Sequence, residues 1–266
     1  MSDYVELGRL CADTAREAGE RVLAWRRERG QLSADVVDTK SSPTDVVTEA
    51  DRMAEQLIRE RLMSARPDAA WLGEETGRSA GSGGEGLEWV VDPIDGTTNF
   101  LYDLPGWSVS IACRAAEESV AAAVHVPTFG ETFTAVRGEG AFVEDAGGRR
   151  SLTASTATDL ETALIATGFA YDVQDRTGQG ALVGTLVGRV RDIRRFGAAS
   201  VDLCSVAAGR VDGYFERGLE PWDLAAGLLI ASEAGAVVRQ HERGTTTAAG
   251  AGIADKLDRL LDELGD

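Results

Sequence analysis

The chain of 266 residues carries 44 Asp and Glu against 27 Lys and Arg, a formal charge of −17, and is 43% hydrophobic with five Trp. A chain of that length buries a core without disulfide or metal staples, and its apolar content excludes an acidic disordered chain. The acid excess argues against a nucleic-acid groove or a basic membrane patch, because both need clustered Lys and Arg to meet phosphates.

The N-terminal Met-Ser-Asp-Tyr-Val-Glu has neither the basic start nor the apolar run of a signal peptide. The chain nowhere strings together the roughly 18 apolar residues of a membrane span. Cys11, Cys113 and Cys204 lie far apart with no C-x-x-C pair, so reduced, mostly buried thiols in a cytoplasmic protein are expected, and neither a zinc site nor a disulfide framework.

Leu7, Leu10, Cys11, Ala15, Ala18, Val22 and Trp25 recur at three- and four-residue spacing until Gly30, which predicts a first helix. After the polar stretch Asp38–Asp45, a second helix is expected from near Thr48. There Thr48-Glu-Ala-Asp51 reads as a capping box with Asp in place of Glu, and Met53, Leu57, Ile58 and Leu62 form the inner face. Ala69–Leu72 and Trp89–Val91 read as buried strands that end in acids. Between them Gly77–Gly86 is half glycine, which predicts a connector without regular structure; the acids flanking it also admit a lid.

Further strands are expected at Val109–Ala112, Ala121–Val126, Thr132–Val136 and Ala141–Val143. Beyond residue 150 the pattern alternates. Ala163–Thr167 and Asp212–Phe215 read as strands, and 178–189, 200–209 and 222–235 as helices. With no Pro-rich linker and no repeat, residues 1–266 are expected to form one unit of two lobes. Lobe 1–150 would hold helices plus an antiparallel sheet and the metal site, and lobe 151–266 would be α/β and carry substrate specificity.

The chemistry concentrates in Trp89-Val-Val-Asp92-Pro-Ile-Asp95-Gly96-Thr97-Thr-Asn-Phe100. A buried strand reaches Asp92, Pro93 forces a bend, and Asp95 follows. Two carboxylates there repel and lose hydration, which is costly unless a cation binds them, and a hard cation such as Mg2+ prefers oxygen ligands. The Ile94 carbonyl at the bend is a candidate ligand, and the Gly96 and Thr97 amides are candidates for holding phosphate. Alone, this pattern is also that of an ordinary acidic turn. Gly73-Glu74-Glu75 offers further carboxylates at a comparable strand edge. Lys40 precedes the second helix, Asp51 stands on its first turn, and Trp222-Asp223-Leu-Ala-Ala-Gly227 opens a nearly all-apolar helix with an acid. Asp51 and Asp223 alone also read as acids complementing a helix dipole.

Together these segments resemble the inositol monophosphatase family of Mg2+-dependent, lithium-sensitive phosphatases, over roughly residues 36–240. The resemblance implies a layered α/β/α/β/α sandwich of the α+β or α/β class, commonly a homodimer, that uses two to three Mg2+ ions. It implies that Glu74, Asp92 and the Ile94 carbonyl hold a first ion, that Asp92, Asp95 and Asp223 hold a second, and that a third leans on Glu74 through waters. Thr97 paired with Asp51 matches the dyad that helps deprotonate the nucleophilic water. Gly96 and Thr97 match the phosphate contacts, and Lys40 the family's basic residue on a loop near the site.

In the second half, Arg194-Arg-Phe-Gly-Ala-Ala-Ser-Val-Asp202 resembles the stretch that lets backbone approach the substrate, and Asp212-Gly-Tyr-Phe-Glu216 the segment whose Glu accepts substrate hydroxyls. Glu216, with Ala199 and Asp223 nearby, is therefore the expected sugar- or inositol-hydroxyl contact; a surface ion pair is its other reading. Glu220 and Asp202 either support the site or are structural. The sequence departs from the family pattern at His125-Val-Pro127 and after Ala234-Gly-Ala236, neither of which touches the metal motifs.

The implied activity is hydrolysis of myo-inositol 1-phosphate to inositol and phosphate by metal-activated water, without a phosphoenzyme. Relatives acting on histidinol phosphate, fructose 1,6-bisphosphate or 3′-phosphoadenosine 5′-phosphate share the fold and supply the rival substrates. A non-enzymatic alternative is a protein-interaction role with the transcription machinery, as in some bacterial relatives.

Overall fold

A computed structural model describes residues 3–30, 32, 37–39, 46–82 and 86–265, with 37–39 and 46–48 described in their backbone only. In chain order the elements begin with α1 (Asp3–Arg29), β1 (Val37–Thr39), β2 (Val46–Thr48), α2 (Glu49–Ala65), β3 (Ala70–Gly73), β4 (Gly77–Ser79), β5 (Leu87–Asp95) and α3 (Thr97–Leu101). A run of strands follows: β6 (Ser108–Ala115), β7 (Glu118–Val126), β8 (Glu131–Val136), β9 (Ala141–Asp145) and β10 (Gly148–Ser151). The remainder alternates through β11 (Leu164–Thr167), α4 (Val173–Leu186), β12 (Asp192–Arg194), α5 (Ala199–Ala207), β13 (Gly213–Arg217), α6 (Pro221–Glu233), β14 (Val237–Gln240), β15 (Thr245–Ala249) and α7 (Ala254–Leu264).

Two large sheets result. The first has the order β10-β9-β8-β7-β6-β5-β3-β4 and is antiparallel except where β3 runs parallel to β5. The second has the order β12-β11-β13-β15-β14, with β11 parallel to both β12 and β13. Helices fill three layers around them. On one face of the first sheet Leu7, Cys11 and Ala15 of α1 and Ile58 and Leu62 of α2 pack on Trp71, Trp89 and Ile111. Its other face, through Leu72, Val90 and Val124, meets Val201 and Cys204 of α5 and Ala226 and Ile230 of α6. The far sides of these two helices, at Leu203, Val206 and Leu224, pack on Ala166, Tyr214 and Ala248 of the second sheet. Leu186 of α4 and Leu257, Leu260 and Leu261 of α7 close its outer face. The layers are therefore α/β/α/β/α, the sandwich that the family resemblance implies.

The middle layer explains the composition of its helices. All nine residues of α5 are buried, as expected of a helix covered on every side. The two helices approach so closely that a Cβ on Gly227 would lie 2.6 Å from Leu203 Cδ1, which accounts for the glycine closing the Trp222–Gly227 motif.

Several elements differ from the sequence expectation. Gly77–Ser79 is a strand and not a connector, because Trp71, Leu72 and Gly73 pair with Ser79, Arg78 and Gly77 across a tight turn. The helix expected over 178–189 starts at Val173, capped by the Asp172 carboxylate, which accepts the amides of Gln174 and Asp175. The acidic tail is a helix whose leucines pack on the second sheet. The capping-box reading of Thr48 concerns a side chain outside the described residues. All three cysteines are buried and free. Among the described residues no helix is long and apolar enough to cross a membrane.

Candidate metal and phosphate site

The site lies where the C-terminal ends of β3 and β5 meet the first turns of α2, α3, α5 and α6. In a regular strand, residues three apart face opposite sides. Between Asp92, paired with Ser110, and Asp95, paired with Ser108, β5 carries one extra residue. Pro93, which has no N–H to give the ladder, stands in this bulge. The added residue restores a common side to the two acids, and the Ile94 amide donates to Asp92 Oδ1 at 3.0 Å.

Asp223 joins them from the first turn of α6. One oxygen from each of Asp92, Asp95 and Asp223 lies within 4.8 Å of the others. The Glu220 amide donates to Asp223 Oδ2 at 2.7 Å and so orients this carboxylate, which gives Glu220 a supporting role. Burial drives the Asp92 carboxyl well above the ordinary carboxylate range, reinforced by repulsion from Glu74, Asp95 and Asp223 and by a hydrogen bond with Glu74. Burial, then Asp95, raises Asp223 in the same way. Asp95 is pushed up to about 6 by burial, against the lowering effect of its hydrogen bonds. Those bonds come from α5: Ser200 N–H and Ser200 Oγ reach Asp95 Oδ2 at 2.7 and 2.5 Å, and the Ala199 amide also donates to Asp95. Ser108 Oγ lies 2.7 Å from Ser200 Oγ.

The other expected residues take their places around this cluster. Glu74 follows β3, its amide bonded to Val91 O at 3.1 Å and its carboxylate beside Asp92. Asp51 is fully buried on the first turn of α2, a helix whose Ala50 and Ala54 share one apolar cluster with Ile94 and Phe100. Thr97 Oγ1 donates to the Ile94 carbonyl at 3.1 Å, so the hydroxyl keeps its proton and directs it at that carbonyl in this arrangement. Gly96 has φ +89°, and a Cβ there would lie 3.0 Å from Ala198 Cβ and 3.1 Å from Gly197 O; the turn needs glycine for both conformation and space. Glu216, half-buried on β13, accepts the Tyr214 hydroxyl at 2.7 Å and is raised to about 7, chiefly by burial. Lys40 lies outside the described residues.

Three supporting groups escape sequence reasoning. Ser200 holds Asp95 as described. Asn99 of the β5–α3 motif donates to the Gly106 and Phe196 carbonyls at 3.1 and 2.7 Å, joining the loops around the site. Glu55, 1% exposed on α2, accepts the amides of Glu75 and Thr76 at 2.8 and 2.9 Å and also the Thr76 hydroxyl. It thereby fixes the turn that presents Glu74. Glu55→Ala is expected to weaken divalent-cation binding at this cluster about 10- to 100-fold, read as the half-saturation of a cation titration, the range for residues that orient ligands. An unchanged half-saturation would remove Glu55 from the support of Glu74.

Three clustered, desolvated carboxylates have a clear chemical preference. Each is raised chiefly by burial, with like charges adding to it, and an oxygen-only anionic set suits a hard divalent cation. The donors present therefore fit Mg2+.

Comparison with known proteins gives the same direction. The model described as "Inositol monophosphatase family" matches residues 8–264. The chain is 44% identical to the inositol-1-monophosphatase of Mycobacterium leprae, over 96% of this chain and 93% of that one. It is 40% identical to the protein named Nus factor SuhB of Escherichia coli, over 88% and 85% of the two chains. The solved structure of Mycobacterium tuberculosis SuhB superposes with a TM-score of 0.86 at 38% identity, covering 100% of this chain and 99% of that one.

Proposed function

The chain belongs to the inositol monophosphatase family and is a phosphoric monoester hydrolase, and from that premise we propose that it hydrolyses myo-inositol 1-phosphate in a Mg2+-dependent reaction. The observation that carries the reading is the meeting of the Asp92, Asp95 and Asp223 oxygens within 4.8 Å of one another, with Glu74 beside Asp92. When bound, Mg2+ supplies positive charge to the phosphoryl oxygens and acidifies the attacking water.

The protein groups divide the remaining work. Glu74, Asp92, Asp95, Asp223 and the Ile94 carbonyl are the holders of two to three ions. The amides of Gly96 and Thr97 receive phosphate oxygens. Thr97 Oγ1 accepts the proton of the attacking water as its own proton passes to Asp51, which requires that hydroxyl to turn away from Ile94 O, its acceptor here. Glu216 accepts hydroxyls of the inositol ring, with Ala199 and Asp223 alongside. Water attacks phosphorus directly, and an aspartyl-phosphate trapped during turnover would exclude this route. The same reading includes lithium inhibition, a homodimer, a cytoplasmic location and Lys40 near the site.

A panel of kcat/KM values tests the substrate. With Mg2+ present, myo-inositol 1-phosphate is expected to lead histidinol phosphate, fructose 1,6-bisphosphate and 3′-phosphoadenosine 5′-phosphate; a clear preference for histidinol phosphate would overturn that choice. The relative named Nus factor SuhB favours a second reading, a protein-interaction role with the transcription machinery. Retention of such a role by a hydrolytically dead Asp95→Asn protein would separate the two.

A further inference from the structure

Gly168 directly follows β11, and the parallel pairing that sets Thr167 opposite Phe215 brings it beside Glu216. Its backbone is outside the left-handed region, so conformation does not require a glycine. Space does. A methyl group built on residue 168 would overlap the Glu216 carboxyl group, and its three nearest atoms are Oε2, Oε1 and Cδ of that side chain. The carboxylate thus occupies the volume that a side chain at residue 168 would fill. From two residues earlier on β13, Tyr214, itself fully buried, donates to Glu216 Oε2 at 2.7 Å. Asp202 repels Glu216 from the first turn of α5, and Arg195 attracts it. Asp202 is 1% exposed, and its Oδ1 has no hydrogen-bond partner among the described residues.

We propose that Gly168 is a specificity-determining position: the missing side chain, together with the Tyr214 hydroxyl, fixes the Glu216 carboxylate where it accepts the hydroxyls of a polyol phosphate. Gly168 and Tyr214 are positioning residues that act through Glu216. The proposal rests on the reading of Glu216 as the hydroxyl acceptor. The three atoms nearest a methyl group at residue 168 all belong to the far end of the Glu216 side chain, so Gly168→Ala is expected to displace the carboxylate while the sandwich stays folded.

The test is the ratio of kcat/KM for myo-inositol 1-phosphate to kcat/KM for p-nitrophenyl phosphate, which has no hydroxyls to offer. In Gly168→Ala the ratio is expected to fall about 10- to 100-fold, the loss of one hydrogen bond to a charged acceptor. The change should fall in KM for the polyol substrate more than in kcat, with the melting temperature retained. Tyr214→Phe should move the ratio the same way, and Gly168→Ala combined with Glu216→Ala should lower it no further than Glu216→Ala alone. A ratio lost in Glu216→Ala but kept in Gly168→Ala overturns the proposal and leaves the Glu216 reading standing. A ratio unmoved by Glu216→Ala overturns that reading and the proposal with it. Should Gly168→Ala fail to fold, an unchanged ratio in Tyr214→Phe overturns the proposal.

Discussion

Replacing Asp95 by Asn is expected to lower Mg2+-dependent phosphate release by about a thousandfold or more, equivalent to ~4 kcal/mol of transition-state stabilisation. Asn retains the size of the side chain and an oxygen that accepts from Ser200 N–H and Oγ, so the junction of β5 with α5 survives. What disappears is a negative charge in a cluster whose oxygens lie within 4.8 Å of one another. The bulge at Pro93 and the two serines of the Ser108–Ser200 pair hold that charge in place before any ligand arrives, and such preorganisation gives it leverage on the rate. A loss smaller than about tenfold, ~1.4 kcal/mol, would remove Asp95 from the ligand set. The variant should also be more stable than the parent when both are stripped of metal near neutral pH, because one buried charge facing like charges has gone.

Acidification is expected to stabilise the chelated protein between about pH 7 and pH 4, the reverse of its response with saturating Mg2+. Asp95 titrates at about 6 in the folded chain against a usual 3.8. The folded state therefore keeps a proton that the unfolded state releases, and stability falls as pH rises through that window. Asp95 alone accounts for up to about 3 kcal/mol at ~1.4 kcal/mol per pH unit. Asp92 and Asp223 shift in the same direction and add to the trend. Glu216, raised to about 7, and Asp202, also raised by burial, reinforce it. His125, lowered to about 4 chiefly by burial, opposes it within the same window without cancelling the raised carboxylates together. Asp145 and Asp192, lowered by their bonds to Arg150 and Arg194, oppose it only below the usual carboxylate range. Mg2+ held as proposed would compensate the ionised carboxylates at neutral pH, and protons would compete with it under acid conditions. Thermal unfolding with and without chelator across this range checks both slopes. A chelated protein that loses stability steadily on acidification would contradict the assignment of these buried charges.

The carboxylate cluster is legible in the sequence because its members end apolar runs, where a buried charge stands out. Asp92 and Asp95 on β5 and Asp223 at the head of an apolar helix carry that signal. The bulge that sets Asp92 and Asp95 on one side is not legible, since it depends on the register against Ser108 and Ser110. Glu55, Ser200 and Gly168 look ordinary in their own segments. Their meaning comes from partners brought close by the fold: Ser200 lies 105 residues from Asp95 and Glu55 lies 21 from Thr76.

Helix α7 is a different kind of omission. Leu257, Leu260, Leu261 and Leu264 recur at helical spacing, but five acids in Asp255–Asp266 draw the eye to charge. In the fold, Arg239 pairs with Asp255 at 2.6 Å and also with Asp258, so part of that charge is structural. Strand β15 hides for the opposite reason: its Thr245, Thr246 and Thr247 are polar by composition yet buried. The net charge of −17 misleads about an anionic substrate. Asp51, Glu74, Asp92, Asp95 and Asp223 belong to the proposed site, where bound cations reverse their effect on an approaching phosphate.

The central claim is that these carboxylates make phosphate-ester hydrolysis depend on a divalent cation. Its most direct test is inorganic phosphate release from myo-inositol 1-phosphate by the chelator-treated chain as Mg2+ is returned, run beside Asp95→Asn. Release should be absent before Mg2+, rise to saturation as it is added to the parent, and stay near background in the variant. Turnover that persists in chelator, or that saturates alike in both proteins, would contradict the claim.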